Sequence, residues 1–170
     1  MIKDENNFII LTNYGSLKFY KKEENIFIFK NEIRDKKPIY DIIFDNSKTK
    51  IFSLSQGFIK IFKEDNNGNF LKSEEIKVPE IKSLEHFEEY CEFNLLLLED
   101  KNRLIVKGQN SIWFFNVSEN YRLLNFYEEN ERFSEFPSID RYDEDKIIAI
   151  YNGECLKVIS MTENKVLKMV

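Results

Sequence analysis

Hydrophobic and polar residues alternate along most of the chain, and short turns containing glycine or asparagine interrupt the alternation. A period of two is typical of strands that are buried on one face. The clearest case is 50–62, where two alternating stretches flank Gly57. Glycine suits such a turn because it adopts positive φ without strain. The pattern predicts an all-β fold.

The pattern of strand, tight turn and second strand occurs four times, at 8–20, 50–62, 103–115 and 146–159. We take one apolar residue in the second strand of each repeat as its anchor: Leu17, Ile59, Ile112 and Leu156. Successive anchors are 42, 53 and 44 residues apart. A period of about 40–45 residues is that of a four-stranded propeller blade. The long middle interval predicts an insertion at 79–92, either a short amphipathic helix or an irregular loop.

Two repeats predict four successive strands each. In the second repeat they are Ile39–Phe44, Lys50–Ser55, Phe58–Phe62 and Phe70–Ile76. In the fourth repeat they are Ser138–Tyr142, Ile147–Tyr151, Cys155–Ser160 and Lys165–Val170. The first repeat begins at its second strand, since seven residues precede Phe8. We therefore expect one domain, residues 1–170, that forms a partial or reduced β-propeller of about four blades.

The second repeat resembles a blade of the WD-repeat family in the residues Lys50–Ser55 and Gly57–Phe62. The chain departs from the family at its tryptophan position, which holds Tyr20, Phe62, Phe115 and Ile159. It also departs at the aspartate position that follows, which holds Lys21, Lys63, Asn116 and Ser160. The resemblance implies a divergent propeller without the polar network that braces blades in that family.

Evenly spaced alternating strands also fit a β-sandwich or another β-barrel, and these stay open as alternatives. An incomplete ring of blades would leave two apolar blade faces uncovered. Exposed apolar patches mark interaction surfaces. We therefore expect a second copy, a protein partner or a large assembly to cover them.

Composition favours one kind of secondary structure, and charge restricts the class of macromolecule that the chain can bind. The chain has 16 Phe but a single alanine, Ala149, which favours strands over helices. Its formal net charge is −5. A protein that neutralises many phosphates needs a basic face, so direct nucleic-acid binding is disfavoured.

The sequence offers little for catalysis. Nucleophilic catalysis usually needs a histidine base, and the single histidine, His86, lies in the predicted insertion. Cys91 and Cys155 do not have the close spacing of zinc ligands, and no glycine-rich phosphate loop is present. We expect no catalytic residue, no metal and no cofactor. An enzyme using a loop carboxylate pair, drawn from Glu128-Glu129 and Asp143-Glu144-Asp145, is kept as an alternative.

The chain carries no long apolar run and no recognisable leader, so we expect a cytoplasmic protein that does not cross a membrane. Trp113 is the sole tryptophan; its dense apolar strand favours a core residue or a blade-face contact, although tryptophan is also enriched at binding hot spots. The acidic stretch between Glu119 and Asp145 is either a contact for a basic partner or a solvated connection.

The sequence therefore predicts a non-catalytic protein-interaction module, a reduced β-propeller that docks on a larger assembly, with self-association left open. The alternative from another class is an accessory factor bound to a ribonucleoprotein such as the ribosome. The candidate partner-binding residues are Trp113, Glu128, Glu129 and Glu131.

Overall fold

The fold was analysed in a computed structural model of the chain. It describes residues 3–12, 15–55, 57–79, 93–108, 111–128, 138–151, 155–163 and 165–169. These residues belong to two compact units, Met1–Pro79 and Glu80–Val170. Apart from its first residue, the insertion predicted at 79–92 lies outside the described residues. Its helical or loop form therefore stays a prediction, as does the single domain.

The first unit contains two antiparallel sheets with strands in chain order. The first sheet has three strands: β1 (Asn7–Thr12), β2 (Ser16–Glu23) and β3 (Ile26–Arg34). The second sheet has four: β4 (Ile39–Phe44), β5 (Lys50–Ser55), β6 (Phe58–Glu64) and β7 (Phe70–Lys77). Strands β1 and β4 lie next to each other.

The second unit also contains two antiparallel sheets, each of four strands. The third sheet consists of β8 (Asn94–Leu98), β9 (Arg103–Lys107), β10 (Ser111–Asn116) and β11 (Arg122–Glu128). A short 3-10 turn, Glu99–Lys101, joins β8 to β9. The fourth sheet consists of β12 (Ile139–Arg141), β13 (Lys146–Tyr151), β14 (Cys155–Ser160) and β15 (Val166–Met169).

The predicted all-β class is confirmed. All four strands of the second repeat begin where the alternating pattern places them, and β6 and β7 extend slightly beyond the predicted ends. In the fourth repeat, β12 is shorter than predicted. Among the described residues, none of the four sheets closes on itself.

All four sheets share an irregularity at the same place. The third strand of each four-stranded sheet, and β2 in the first sheet, pairs with the next strand through a register shift. The shift always begins two residues after the anchor residue, between Phe19 and Tyr20, Ile61 and Phe62, Phe114 and Phe115, and Val158 and Ile159. In each case the outer strand carries one extra residue, which bends it and increases its twist. The repeat is therefore a repeat of geometry as well as of sequence.

Each unit has its own hydrophobic cluster, built from the strand residues that alternate toward it. In the first unit the cluster joins both sheets and consists of Ile9, Leu17, Phe19, Ile39, Ile42, Ile51, Phe62 and Phe70. In the second unit it consists of Leu98, Ile105, Ile112, Phe114, Ile147, Ala149, Ile159 and Met161. Burying such side chains contributes about 1.5–3 kcal/mol each to folding. This term is what holds each pair of sheets together.

Candidate interaction surface

The face of the first sheet that points away from the shared core carries a group of aromatic rings. Phe8 lies directly opposite Tyr20, and Tyr20 lies opposite Phe29. The Phe8 and Tyr20 rings stack with centroids 5.2 Å apart. The Phe8 ring meets Phe27 edge-on at 4.8 Å, and Tyr20 meets Phe29 edge-on at 5.7 Å. These distances are those of favourable aromatic pairs.

Much of this aromatic group is open to solvent. Phe27 is 57% exposed and Phe29 is 51% exposed, and Ile10 on the same face is also exposed. We call the set Phe8, Ile10, Tyr20, Phe27 and Phe29 the first-sheet surface. Two of its rings lie on β3, which is the outermost strand of its sheet. An apolar face beside a sheet edge is the kind of surface that monomeric proteins usually avoid.

A smaller apolar face lies on the fourth sheet. Ile150 and Leu156 face each other across β13 and β14 and are 37% and 38% exposed. Ile148 alternates onto the same face. We call Ile148, Ile150 and Leu156 the fourth-sheet surface. Among the described strand residues, the first sheet has five exposed large apolar side chains and the fourth has three, against one each on the second and third.

Charged residues of both signs border the two surfaces, since Glu32 lies opposite Lys18 on the first sheet and Lys146 shares the face of Ile148 on the fourth. On the first sheet, Lys18 lies opposite Ile10 and Lys22 lies opposite Phe27, so both lysines share the face of the rings. On the fourth sheet, Asp140 lies opposite Ile148 and is exposed. The net charges of the two units differ in sign. Residues 1–79 carry 14 basic and 12 acidic side chains, whereas residues 80–170 carry 11 and 18.

A cavity of about 380 Å³ lies beside the first-sheet surface and is lined by aromatic, asparagine and lysine side chains. Its lysines are already paired. Lys3 bonds to Glu64, and Lys21 and Lys30 both reach one carboxylate oxygen of Glu23 at 3.3 Å. Because carboxylates of the same unit neutralise these lysines, the cavity is less suited to an anionic ligand than its number of lysines indicates.

Of the sequence-predicted residues, Trp113 and Glu128 are described, and neither lies on these surfaces. Trp113 is 5% exposed, and its ring covers Gly108 so closely that a Cβ there would lie 2.7 Å from a ring carbon. This burial agrees with a core position. Glu128 is exposed at the end of β11, opposite Ser111. Glu129 and Glu131 lie outside the described residues, so the structure does not test whether the three glutamates bind a partner.

Two of the carboxylates kept for an enzyme, Asp143 and Asp145, take part in local turn contacts. Lys146 Nζ donates to Asp143 Oδ2 at 2.6 Å and lies 3.9 Å from Asp145 Oδ1. The hydrogen bond from Lys146 lowers the pKa of the Asp143 carboxyl. In the part of the chain that the structure describes, no three histidine, cysteine or acidic side chains form a metal-binding group. His86 and Cys91 lie outside that part.

Lys60, on β6, forms an ion pair near the core that the local sequence pattern does not predict. Lys60 Nζ donates to both oxygens of Asp35 at 2.5 and 2.6 Å. The Asp35 side chain is 4% exposed and lies in the loop between β3 and β4. Burial raises the pKa of Asp35, but hydrogen bonds from Lys60 and the Lys37 backbone outweigh it, so the pKa lies below its ordinary value. The pair fastens the loop between the first two sheets to β6.

The sequence reasoning missed the first-sheet surface. The available signal was the run Ile26–Phe29, four consecutive large apolar residues in a strand whose counterpart β7 has charged residues at four of its eight positions. Comparison with known proteins adds no relatives, because no protein-family model and no curated protein matches the chain at a significant level. Within the described residues, no helix is long and apolar enough to span a membrane.

Proposed function

We propose that the chain is a non-catalytic protein-interaction module that docks on a larger assembly through the first-sheet surface. The observation that carries this proposal is the set of solvent-exposed rings on one face of a sheet whose opposite face contributes Ile9, Leu17 and Phe19 to the core. Covering one exposed phenylalanine stabilises a complex by about 1.5–3 kcal/mol before association costs. Several such rings side by side form the central cluster that interfaces require.

We further propose that the module is a reduced β-propeller of about four blades, as the resemblance to WD-repeat blades implies. Three four-stranded meanders and one three-stranded meander support this architecture. The bulge that recurs at one position of every sheet supports it as well, because structurally equivalent blades repeat their irregularities. Propellers present their blade faces and rims to partners without needing any catalytic group.

Sedimentation of tagged protein in extract of the cells that make it tests the docking proposal. We expect the wild-type protein to migrate in part with a large assembly. The variant Phe27→Ser/Phe29→Ser should lose most of this fraction, about fivefold or more, since two central anchors are removed. Leu71→Ser is the matched control, because Leu71 is 59% exposed but lies on the second sheet.

Two outcomes would count against the proposal: wild-type protein that never leaves the light fractions, or a double variant that sediments like the control. Salt separates protein contacts from phosphate contacts. If the assembly is a ribonucleoprotein bound through Lys18 and Lys22, association should fall steeply as salt rises. Association through the aromatic rings should change little over the same range.

A further inference from the structure

We propose that the first-sheet surface binds a β-sheet of a partner protein, and that this partner sheet carries a carboxylate that pairs with Lys18. The inference rests on the proposed docking function and names the chemistry of the docking partner. It comes from the second sheet, in which the corresponding face is already covered by the first sheet.

The first two sheets correspond position by position from their hairpin turns to the loops after their outer strands. In both sheets the outer strand pairs with its neighbour in the same register before and after the bulge. The chain also leaves both outer strands in the same way. The Asp35 backbone N–H donates to the Gly15 carbonyl at 2.8 Å, and the Val78 N–H donates to the Gly57 carbonyl at 3.0 Å. Each position of the first-sheet surface therefore has a defined counterpart in the second sheet.

Three rings of the first-sheet surface correspond to core residues of the second sheet. Counted from the anchor residues, the matches are Phe8 with Ile51, Tyr20 with Phe62, and Phe27 with Phe70. Phe27 is 57% exposed, whereas Phe70 is 4% exposed and its ring stacks on Phe19 of the first sheet at 5.4 Å. All three counterparts belong to the core cluster that joins the two sheets. The first-sheet surface therefore has the side-chain pattern that packs against another sheet in this unit.

Lys18 extends the match to charge, because it takes the position of Lys60. Each lysine directly follows its anchor residue and lies opposite a glutamate of the outer strand, Glu32 and Glu75 respectively. Each of these glutamates bonds to a cation of its own strand. Lys60 instead donates to Asp35, which lies after the outer strand of the sheet that covers it. In this arrangement the covering sheet supplies the carboxylate, even though a glutamate lies opposite the lysine.

The lysine position changes together with the residue that directly follows the outer strand of the preceding sheet. An acidic residue precedes each lysine, and an apolar residue precedes the tryptophan that replaces the lysine in the third sheet. In chain order the combinations are Asp35 with Lys60, Val78 with Trp113, and Glu129 with Lys157, of which Glu129 lies outside the described residues. By the same rule, Lys18 calls for an acidic side chain from the sheet that covers the first-sheet surface.

The fourth-sheet surface of the chain does not supply the ring that this contact needs. The face that covers Phe70 presents Phe19, and the matching residue of the fourth sheet is Val158, which is already buried. Stacked rings contribute about 0.5–1.5 kcal/mol beyond their buried area. We therefore expect the covering sheet to belong to another protein, with an aromatic ring opposite Phe27 and a carboxylate at Lys18.

Charge reversal at Lys18 in the sedimentation experiment tests the proposed pair. We expect Lys18→Glu to lower the fraction that migrates with the large assembly about tenfold, since it places two carboxylates together in a covered contact. Lys22→Glu is the matched control on the same face, because the counterpart of Lys22 in the second sheet is Glu64. It should lower that fraction less than about twofold. Circular dichroism of both variants checks that the sheets are retained.

Carbodiimide cross-linking identifies the group that Lys18 meets, because the reagent joins an amine directly to a carboxylate in contact with it. In the sedimenting fraction, mass spectrometry of peptides should find Lys18 joined to an aspartate or glutamate of another protein. The exposed pair of Lys63 and Glu74 within the chain is the control for the reaction. Mixing isotopically labelled and unlabelled protein separates links within one chain from links between two copies.

The β-sheet partner is overturned if Lys18→Glu and Lys22→Glu lose the same fraction, which general attraction to phosphates would produce. It is also overturned if the control cross-link forms while Lys18 is joined to no other protein, or only to its own chain or a second copy. In these cases the wild-type protein still sediments and still depends on Phe27 and Phe29, so the docking function stands. If the wild-type protein never leaves the light fractions, the docking function fails, and the β-sheet partner fails with it.

Discussion

The outer strands of the first two sheets, β3 and β7, pair with their neighbours in the same way and are bulged at the same position. Their surfaces differ. On β7, Lys72 bonds to Glu75 at 2.6 Å, and Glu74 bonds to Lys63 of the adjacent strand at 2.8 Å. On β3, the run Ile26–Phe29 is exposed on both faces of the strand.

Charged side chains on an outer strand hinder pairing with other chains, and this protection is common in natural sheets. β7 has it, and the first half of β3 does not. Because the two strands have the same backbone pairing and bulge, they differ in their side chains and not in their backbone geometry. Such a difference is expected where one strand faces solvent and the other faces a partner.

The largest effect on stability should come from the turn between β1 and β2, whose equivalent in the second sheet is the turn between β5 and β6. Gly15 and Gly57 occupy equivalent turns with φ of 75° and 77°. A Cβ on Gly15 would lie 2.4 Å from the Lys37 carbonyl oxygen, whereas within the described residues nothing lies within 4 Å of a Cβ on Gly57. We expect Gly15→Ala to lower the free energy of unfolding by about 3 kcal/mol or more, because backbone must move in addition to the strain at positive φ.

Gly57→Ala is the matched control and should cost about 1–2 kcal/mol, since it carries the strain at positive φ alone. Urea unfolding followed by circular dichroism measures both. Equal losses would show that the close approach of the β3–β4 loop to the first turn does not constrain the sheet.

The next largest effect should come from the pair that ties that loop to the second sheet. Asp35→Asn removes one partner of a largely buried ion pair, so we expect a loss of about 3 kcal/mol in unfolding free energy. Glu74→Gln breaks the exposed pair with Lys63 and should cost less than about 1 kcal/mol. A loss in Asp35→Asn no larger than in this control would mean that Lys60 is solvated after all.

The contribution of Asp35 to the free energy of unfolding depends on pH with a defined sign. Because the folded state lowers the pKa of Asp35 below its ordinary value of 3.8, its carboxylate contributes stability above that pH. This contribution is lost as the pH falls through the lower, folded-state pKa. The difference in unfolding free energy between the wild-type protein and Asp35→Asn should therefore shrink only below pH 3.8. A difference that is already lost near neutral pH would contradict this assignment.

Local pattern was enough to predict the strands and the turns. Alternation predicted all four strands of the second repeat. In the β1–β2 and β5–β6 hairpins, the glycine in the turn marked the residue with positive φ. These features depend on neighbours within a few residues. The insertion and the single domain remain untested predictions, as does the propeller ring.

The surfaces could not be predicted in the same way, because alternation separates two faces without saying which one is covered. Trp113 was selected for its residue type, but its ring is buried and packs closely over Gly108. Lys60 shares its position with Lys18 and Lys157 in the repeat, yet its partner Asp35 lies 25 residues away in sequence. Only the packing of the β3–β4 loop brings them together.

The smallest effect on stability is expected from making β7 resemble β3. Lys72→Ile/Glu75→Ile removes an exposed pair and adds two apolar side chains, so the free energy of unfolding should change by less than about 1 kcal/mol. Association should change more, since the outer strand loses its charged protection. We expect light scattering to show species larger than those of the wild-type protein.

Lys72→Gln/Glu75→Gln, which removes the charges without adding apolar surface, is the control and should form fewer of these larger species. If the isoleucine variant has the wild-type mass, the exposed apolar run on β3 is not sufficient to explain association, and the difference between the two strands has another cause.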